Sequence, residues 1–351
     1  MKYTLDKNEI KRKINDEIKK LENNNLSDYE KNVIYIDIDV YNELLIDLFN
    51  QNPKPRPIKK QEFYEQACDI SANLLTPTQQ SIYKSTFPFL DRLDELNYFE
   101  IEIPNNILTI NDQKELILDN FIMNKRVRNE INKLFDPKSK KLNITHKKNR
   151  NLTYPLFNGE CYLSCTNKND VLGFISLCHE IGHYYEHYFT NNRINKLVFL
   201  KEDNIYDYKE VSSIFFELIS LKILFDNNLI DENQYVNILK KTKYDDFRDP
   251  SIWLIFDKIK KAKKISNKDF HNLKKDFNEL YDATIYSYSY IIAVNLFEQF
   301  IENEKESFKN LNYLINNIST IKEKETLNYC DIKHTDTHRF ERHIKRMEKC
   351  I

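Results

Sequence analysis

The sequence predicts a mainly α-helical protein with one small β-sheet or hairpin. Only three glycines and nine prolines are spread over 351 residues, which allows few sharp turns and favours long helices over a many-stranded sheet. Apolar residues recur at three- and four-residue spacings through most of the chain. A short stretch, Leu152 to Thr166, instead reads as a strand or hairpin, directly before the most regular helical pattern.

Met1 to Leu21 is charged and carries Ile10, Ile14, Ile18 and Leu21 at helical spacing. It lacks the apolar core of a signal peptide. No uninterrupted apolar run in the chain approaches the ~20 residues needed to cross a bilayer. Val33 to Val40 alternates enough to suggest a strand, and Pro53-Lys54-Pro55-Arg56-Pro57 reads as a stiff, extended linker. Lys60 to Phe135 is helical in pattern, broken at Pro77, Pro88 and Pro104. Asp136 to Asn151 is polar and basic and reads as a surface connection. Beyond Thr166 the pattern is helical to Ile351, with no internal repeat. The expected division is a mostly helical N-terminal region over 1–150 and a metal-binding catalytic region over 151–351.

Charged residues make up 30% of the chain, yet the formal net charge is −1. No bias of charge points to nucleic acid or to a membrane surface, and neither is expected as a partner. Six cysteines without a secretory signal read as reduced thiols, which makes the cytoplasm the expected compartment. Cys161, Cys165 and Cys178 are spaced too loosely for a cysteine site and are expected to be buried thiols. Near the C-terminus, Cys330, His334, His338, His343 and Cys350 offer only one pair at helical spacing, His334 and His338, and read as structural or solvated. The glycines are placed where neither a Walker loop nor a dinucleotide fingerprint can form.

All three glycines, Gly159, Gly173 and Gly182, fall in one short window that holds His179-Glu180-Ile181-Gly182-His183. On a helix, residues four apart share a face, so His179 and His183 can present two imidazoles to one zinc ion. Glu180 sits about 100° round the helix from His179, within reach of a water in the open fourth position, as a general base. Phe174, Cys178, Ile181, Tyr185 and Tyr188 form an apolar stripe beside the histidines, which places the helix in the interior. A glycine costs a helix interior about 0.5–1 kcal/mol relative to alanine, so Gly182 implies a close approach at that turn. A third ligand is required, and the next helical pattern, with Val211, Ile214, Phe215, Leu218 and Phe225, supplies a candidate in Glu210. Glu217 lies two turns further on the same face, placed to hydrogen-bond a ligand imidazole.

His179-Glu180-Ile181-Gly182-His183 followed by Glu210-Val211-Ser212-Ser213-Ile214-Phe215-Phe216-Glu217 resembles the oligoendopeptidase F and thimet oligopeptidase family, which reads H-E-x-G-H and then E-x-x-S-x-x-x-E. Asn158-Gly159-Glu160-Cys161 through Asp170-Val171-Leu172, and Tyr281-Asp282-Ala283-Thr284-Ile285-Tyr286-Ser287-Tyr288, are similar to further segments of that family. The resemblance implies a large helical metallopeptidase fold with its active site in a deep cleft or channel. It also implies one zinc ion per chain on His179, His183 and Glu210, with Glu217 in support, and a peptide substrate. Among the tyrosines it favours Tyr288 as the donor to the oxyanion, with Tyr286 next and Tyr290 also alternating with them. The chain is shorter than the usual family member and lacks the histidine and the glycine-rich loop that normally accompany the tyrosine segment. The expected activity is hydrolysis of peptide bonds in short peptides. The rivals are a non-catalytic peptide-binding protein on a degenerate scaffold and a processing protease with one dedicated substrate. Glu160 to Thr166, if an edge strand, would add a substrate by strand pairing.

Overall fold

In the computed structural model, the described residues are 5–48 except 24, 107–121, 125–145, 151–156, 159–189, 210–243, 288–317, 323–332 and 337–349. The proline-rich linker, the breaks at Pro77, Pro88 and Pro104, His334, Cys350 and Tyr286 lie outside them.

The first two helices, α1 (Lys7–Leu21) and α2 (Asp28–Leu48), pack together as a hairpin. Asp6 caps α1 by accepting the amide of Asn8. The strand expected over Val33 to Val40 is instead part of α2. Ile34, Asp37, Tyr41 and Leu44 are its buried row, at spacings of three, four and three, while Tyr35 is exposed. The local alternation was coincidental, and burial follows the helical period. Two short helices follow, α3 (Ile110–Asn120), opened by a Thr109/Asp112 capping box, and α4 (Lys125–Leu134).

Three strands form one sheet, β1 (Leu142–Thr145), β2 (Leu152–Pro155) and β3 (Cys161–Thr166), in the order β1-β3-β2. β3 is central, parallel to β1 and antiparallel to β2. Two expectations change with it. Asp136 to Asn151 is not only a surface connection, because Leu142 within it is buried in the core; its lysines masked a Leu142/Ile144 alternation. Nor is Glu160 to Thr166 an edge, since β3 is paired on both sides and its amides are already used.

The pleat sends alternate side chains of β3 to opposite faces. Cys161, Leu163 and Cys165 join the main core, whereas Tyr162, with Tyr154 of β2, joins Ile10, Tyr41 and Leu44 of the helical hairpin. Between these faces Glu160 accepts from Lys13, from Tyr41 at 2.8 Å and from Tyr162 at 3.1 Å, fastening the hairpin to the sheet. Burial alone would raise the Glu160 pKa, but Lys13 and the Tyr41 hydroxyl hold it below the ordinary carboxylate value.

On the main-core face lies α5 (Val171–Phe189), packed against α6 (Val211–Asp226) and followed by α7 (Glu232–Lys243). Helix α8, described over residues 288–302, precedes α9 (Glu304–Asn317), α10 (Glu323–Tyr329) and α11 (His338–Lys349). The molecule is mainly helical, as its sparse glycines imply. No described helix is long and apolar enough to cross a membrane.

Candidate metal centre

Helix α5 begins at Asp170, whose carboxylate accepts the Gly173 amide at 2.7 Å. Of the anticipated stripe, Phe174, Cys178, Ile181 and Tyr185 are buried and Tyr188 is half-buried, while burial also extends round the helix to Ile175, Leu177 and Tyr184. Against it lies α6, in which every residue from Val211 to Leu221 is buried. A helix buried on all sides lies in the middle of a core, and its buried Ser213 and Glu217 then need polar partners. Gly182 explains how closely these two helices meet. A Cβ there would lie 2.5 Å from Ser213 Cα, 2.6 Å from the Ser212 carbonyl oxygen and 2.8 Å from Ser213 N.

The close contact brings three side chains together. His179 Nε2 and His183 Nε2 are 3.2 Å apart, and Glu210 Oε2 lies 3.4 Å from the first and 3.3 Å from the second. Four ligands at about 2.0–2.1 Å from a tetrahedral zinc are separated by about 3.3–3.4 Å, the edge of that tetrahedron. The spacing and the two-imidazole, one-carboxylate donor set therefore suit a zinc-sized ion. Among the described residues this is the one group of three or more histidine, cysteine or acidic residues close enough to hold a metal.

Supporting contacts orient the donors. His179 Nδ1 and Glu217 Oε1 share a 2.5 Å hydrogen bond. A proton on Nδ1 leaves the Nε2 lone pair facing Glu210 and His183. The Ser213 hydroxyl lies 2.8 Å from Glu210 Oε2 and 2.9 Å from its carbonyl oxygen, bracing a residue that just precedes the first turn of α6. Burial would lower the His179 pKa, but Glu217, followed by Glu210 and Glu180, raises it to about 9. Burial would raise Glu210, and the imidazoles of His183 and His179 with the Ser213 hydroxyl instead hold it far below the carboxylate range.

Glu180 is 2% exposed, and the Thr153 hydroxyl of β2 lies 2.7 Å from its Oε2. The sequence reading missed Thr153, because nothing in a lone strand threonine announces what it touches. Tyr288 is fully buried at the start of the described part of α8, and its hydroxyl donates to Glu323 of α10 at 3.1 Å. Tyr290 Oη lies 3.1 Å from His343 Nε2, so the third tyrosine of the alternation braces α11. Cys161, Cys165 and Cys178 are buried free thiols, and burial pushes Cys165 and Cys178 up, keeping them protonated. Cys330 is also a buried free thiol, with His343 buried beside Glu298.

No protein-family profile matches the chain, and no curated protein matches its sequence. Solved structures do match its fold. A protein from Chlamydophila abortus, provisionally titled a peptidase, superposes with a TM-score of 0.52 at 14% identity, over 92% of this chain and 59% of that one. A Bacillus anthracis str. Ames protein, provisionally titled an oligoendopeptidase F, gives 0.52 at 14% identity, over 92% and 63%. Another provisional oligoendopeptidase F gives 0.51 at 11% identity, over 92% and 65%. The chain thus has the helical oligoendopeptidase fold, and it spans about three fifths of the length of the structures it matches.

Proposed function

We propose that the protein is a zinc metalloendopeptidase that hydrolyses peptide bonds in short peptides. The observation that carries this reading is the triangle of His179 Nε2, His183 Nε2 and Glu210 Oε2, with edges of 3.2–3.4 Å, beside the buried carboxylate of Glu180. The fold supports it, since the structures sharing that fold are described as a peptidase and an oligoendopeptidase F. Zinc held there would supply a Lewis acid that polarises the scissile carbonyl and makes water acidic near neutral pH.

The chain's own residues perform the remaining work. His179, His183 and Glu210 hold the ion, and Glu217 fixes the His179 ring through Nδ1. Glu180 accepts the proton from the attacking water and delivers it to the leaving amine, completing hydrolysis without a covalent intermediate. A phenol hydroxyl, Tyr288 by the family resemblance, would steady the negative oxygen that forms on the carbonyl. An extended peptide would pair along the outer edge of β2, which is the sheet edge nearest Glu180, rather than along β3. In this reading 1–150 is the N-terminal region and 151–351 the catalytic one.

The test is a mixed peptide library incubated with zinc-loaded protein and read by mass spectrometry, with Glu180→Gln as control. Cleavage by the wild type is expected, falling at least ~100-fold in Glu180→Gln while zinc content stays at one per chain. An equally active Glu180→Gln protein would remove the base from its role. Peptide binding without cleavage would favour the binding-protein alternative.

A further inference from the structure

Strand β2 reaches the proposed base through one side chain. The Thr153 hydroxyl lies 2.7 Å from Glu180 Oε2 and 3.1 Å from the Glu180 carbonyl oxygen. A hydroxyl has one proton to give, and the shorter bond, to a charged acceptor, is the stronger. Glu180 is almost wholly buried, where a carboxylate left without a donor would be costly. The described residues supply this donor at Oε2 and show none at Oε1. Thr153 lies opposite Leu163 in the register, on the face of the sheet that packs against α5. Leu156 donates to the Glu160 carbonyl at 2.9 Å, so Leu152, Tyr154 and Leu156 direct their backbone groups toward β3. By the antiparallel alternation, Thr153 and Pro155 turn theirs to the outer edge, where a proline without an N–H is tolerated.

We propose that Thr153 is a positioning residue for Glu180: its hydroxyl fixes Oε2 so that Oε1 is the oxygen presented to water. The same residue carries backbone groups on the edge where a peptide would pair, so substrate and base meet at one strand position. A glutamate side chain turns about three torsions, and a single donor at one oxygen selects among the orientations that burial allows. Valine matches threonine in shape without the hydroxyl; serine keeps the hydroxyl and drops the methyl.

This role rests on the peptidase reading, and the experiment separates the two. Zinc-loaded full-length wild type, Thr153→Val and Thr153→Ser are assayed on a peptide the wild type cleaves, with metal content measured in parallel. The metal-free proteins are also unfolded in urea as a double-mutant cycle of Thr153→Val and Glu180→Ala. Thr153→Val is expected to lower kcat by roughly 10-fold or more, with KM within about twofold and zinc content full. Thr153→Ser should recover most of that loss, and the urea midpoints should be non-additive. A normal kcat in Thr153→Val, a loss confined to KM, or additive midpoints would each overturn the role. A wild type that takes up zinc and cleaves no peptide would remove the peptidase reading and this role with it.

Discussion

Gly182→Ala is the sharpest perturbation available, because it changes one methyl group at the place where the two helices carrying the candidate metal ligands touch. The new Cβ would stand 2.5 Å from Ser213 Cα and 2.6 Å from the Ser212 carbonyl oxygen, and both are backbone atoms that no rotamer change can move. Carbon atoms rest at about 3.5–4.0 Å, so α6 must retreat from α5 by about 1 Å. Overpacking of this kind costs about 1–3 kcal/mol, offset by the roughly 0.5–1 kcal/mol that alanine gains over glycine in a helix. The net expectation is a loss of stability of about 0–2.5 kcal/mol, read from urea unfolding. The effect on metal should be larger than that figure suggests. Glu210 and Ser213 ride on α6, and Glu210 Oε2 now lies 3.3–3.4 Å from both imidazole nitrogens. A further ~1 Å takes it beyond the separation that ligands at about 2.0–2.1 Å can span in a tetrahedral site. Zinc affinity measured against a chromophoric chelator should therefore fall by at least ~100-fold, with helical content by circular dichroism close to wild type. Wild-type affinity in a folded Gly182→Ala protein would refute the claim that this contact sets the metal geometry.

Three other outcomes follow from the same structure. Glu210→Ala should lose the metal, whereas Glu217→Ala should weaken affinity or activity by about 10–100-fold, elemental analysis and chelator competition deciding between them; the reverse order would exchange their roles. Tyr288→Phe should lower kcat by roughly 10²-fold at unchanged zinc content if its phenol serves the oxyanion, and normal turnover would leave it a structural residue that donates to Glu323. Glu160 titrates below its ordinary value in the folded protein, so its contribution is present above the unfolded carboxylate pKa and is lost as pH falls through the folded one. Glu160→Gln should therefore flatten the acid limb of the stability profile below about pH 5, and an unchanged limb would show that the Lys13 and tyrosine contacts carry no linkage.

The candidate site was legible where chemistry and helical periodicity coincide. His179, Glu180, Gly182 and His183 could be placed because a four-residue spacing on one helix fixes geometry without any tertiary knowledge. Glu210 needed a partner helix, and the family resemblance named it where spacing alone left it a candidate. Sheet topology could not be read. The hairpin of β2 and β3 follows from local turns, but the parallel pairing of β1 depends on contacts remote in sequence, and that pairing turned β3 from an edge into a centre. The two-residue alternation in Val33 to Val40 misled for a related reason. Only the neighbours of α2 decide that Ile34, Tyr41 and Leu44 share the buried row. Thr153 was invisible because its contact with Glu180 joins a strand to a helix 27 residues away.

The charge balance of the cluster gives an independent reason to read it as a metal centre. Glu180 is 2% exposed, and the side chains of Glu210 and Glu217 are 12% and 10% exposed. Among the described residues, these three carboxylates gather about two imidazoles, His179 and His183. With both rings neutral the group carries three negative charges, and with both protonated it still carries one. The elevated His179 pKa expresses that deficit, since the carboxylates draw a proton onto the ring. Stability alone would not select this arrangement, because buried ionised groups seldom repay their desolvation and an apolar cluster would serve a core better. A divalent cation between the two Nε2 atoms and Glu210 Oε2 would offset two of the charges. The spacing and the charge thus point the same way, although one depends on backbone packing at Gly182 and the other on side-chain chemistry.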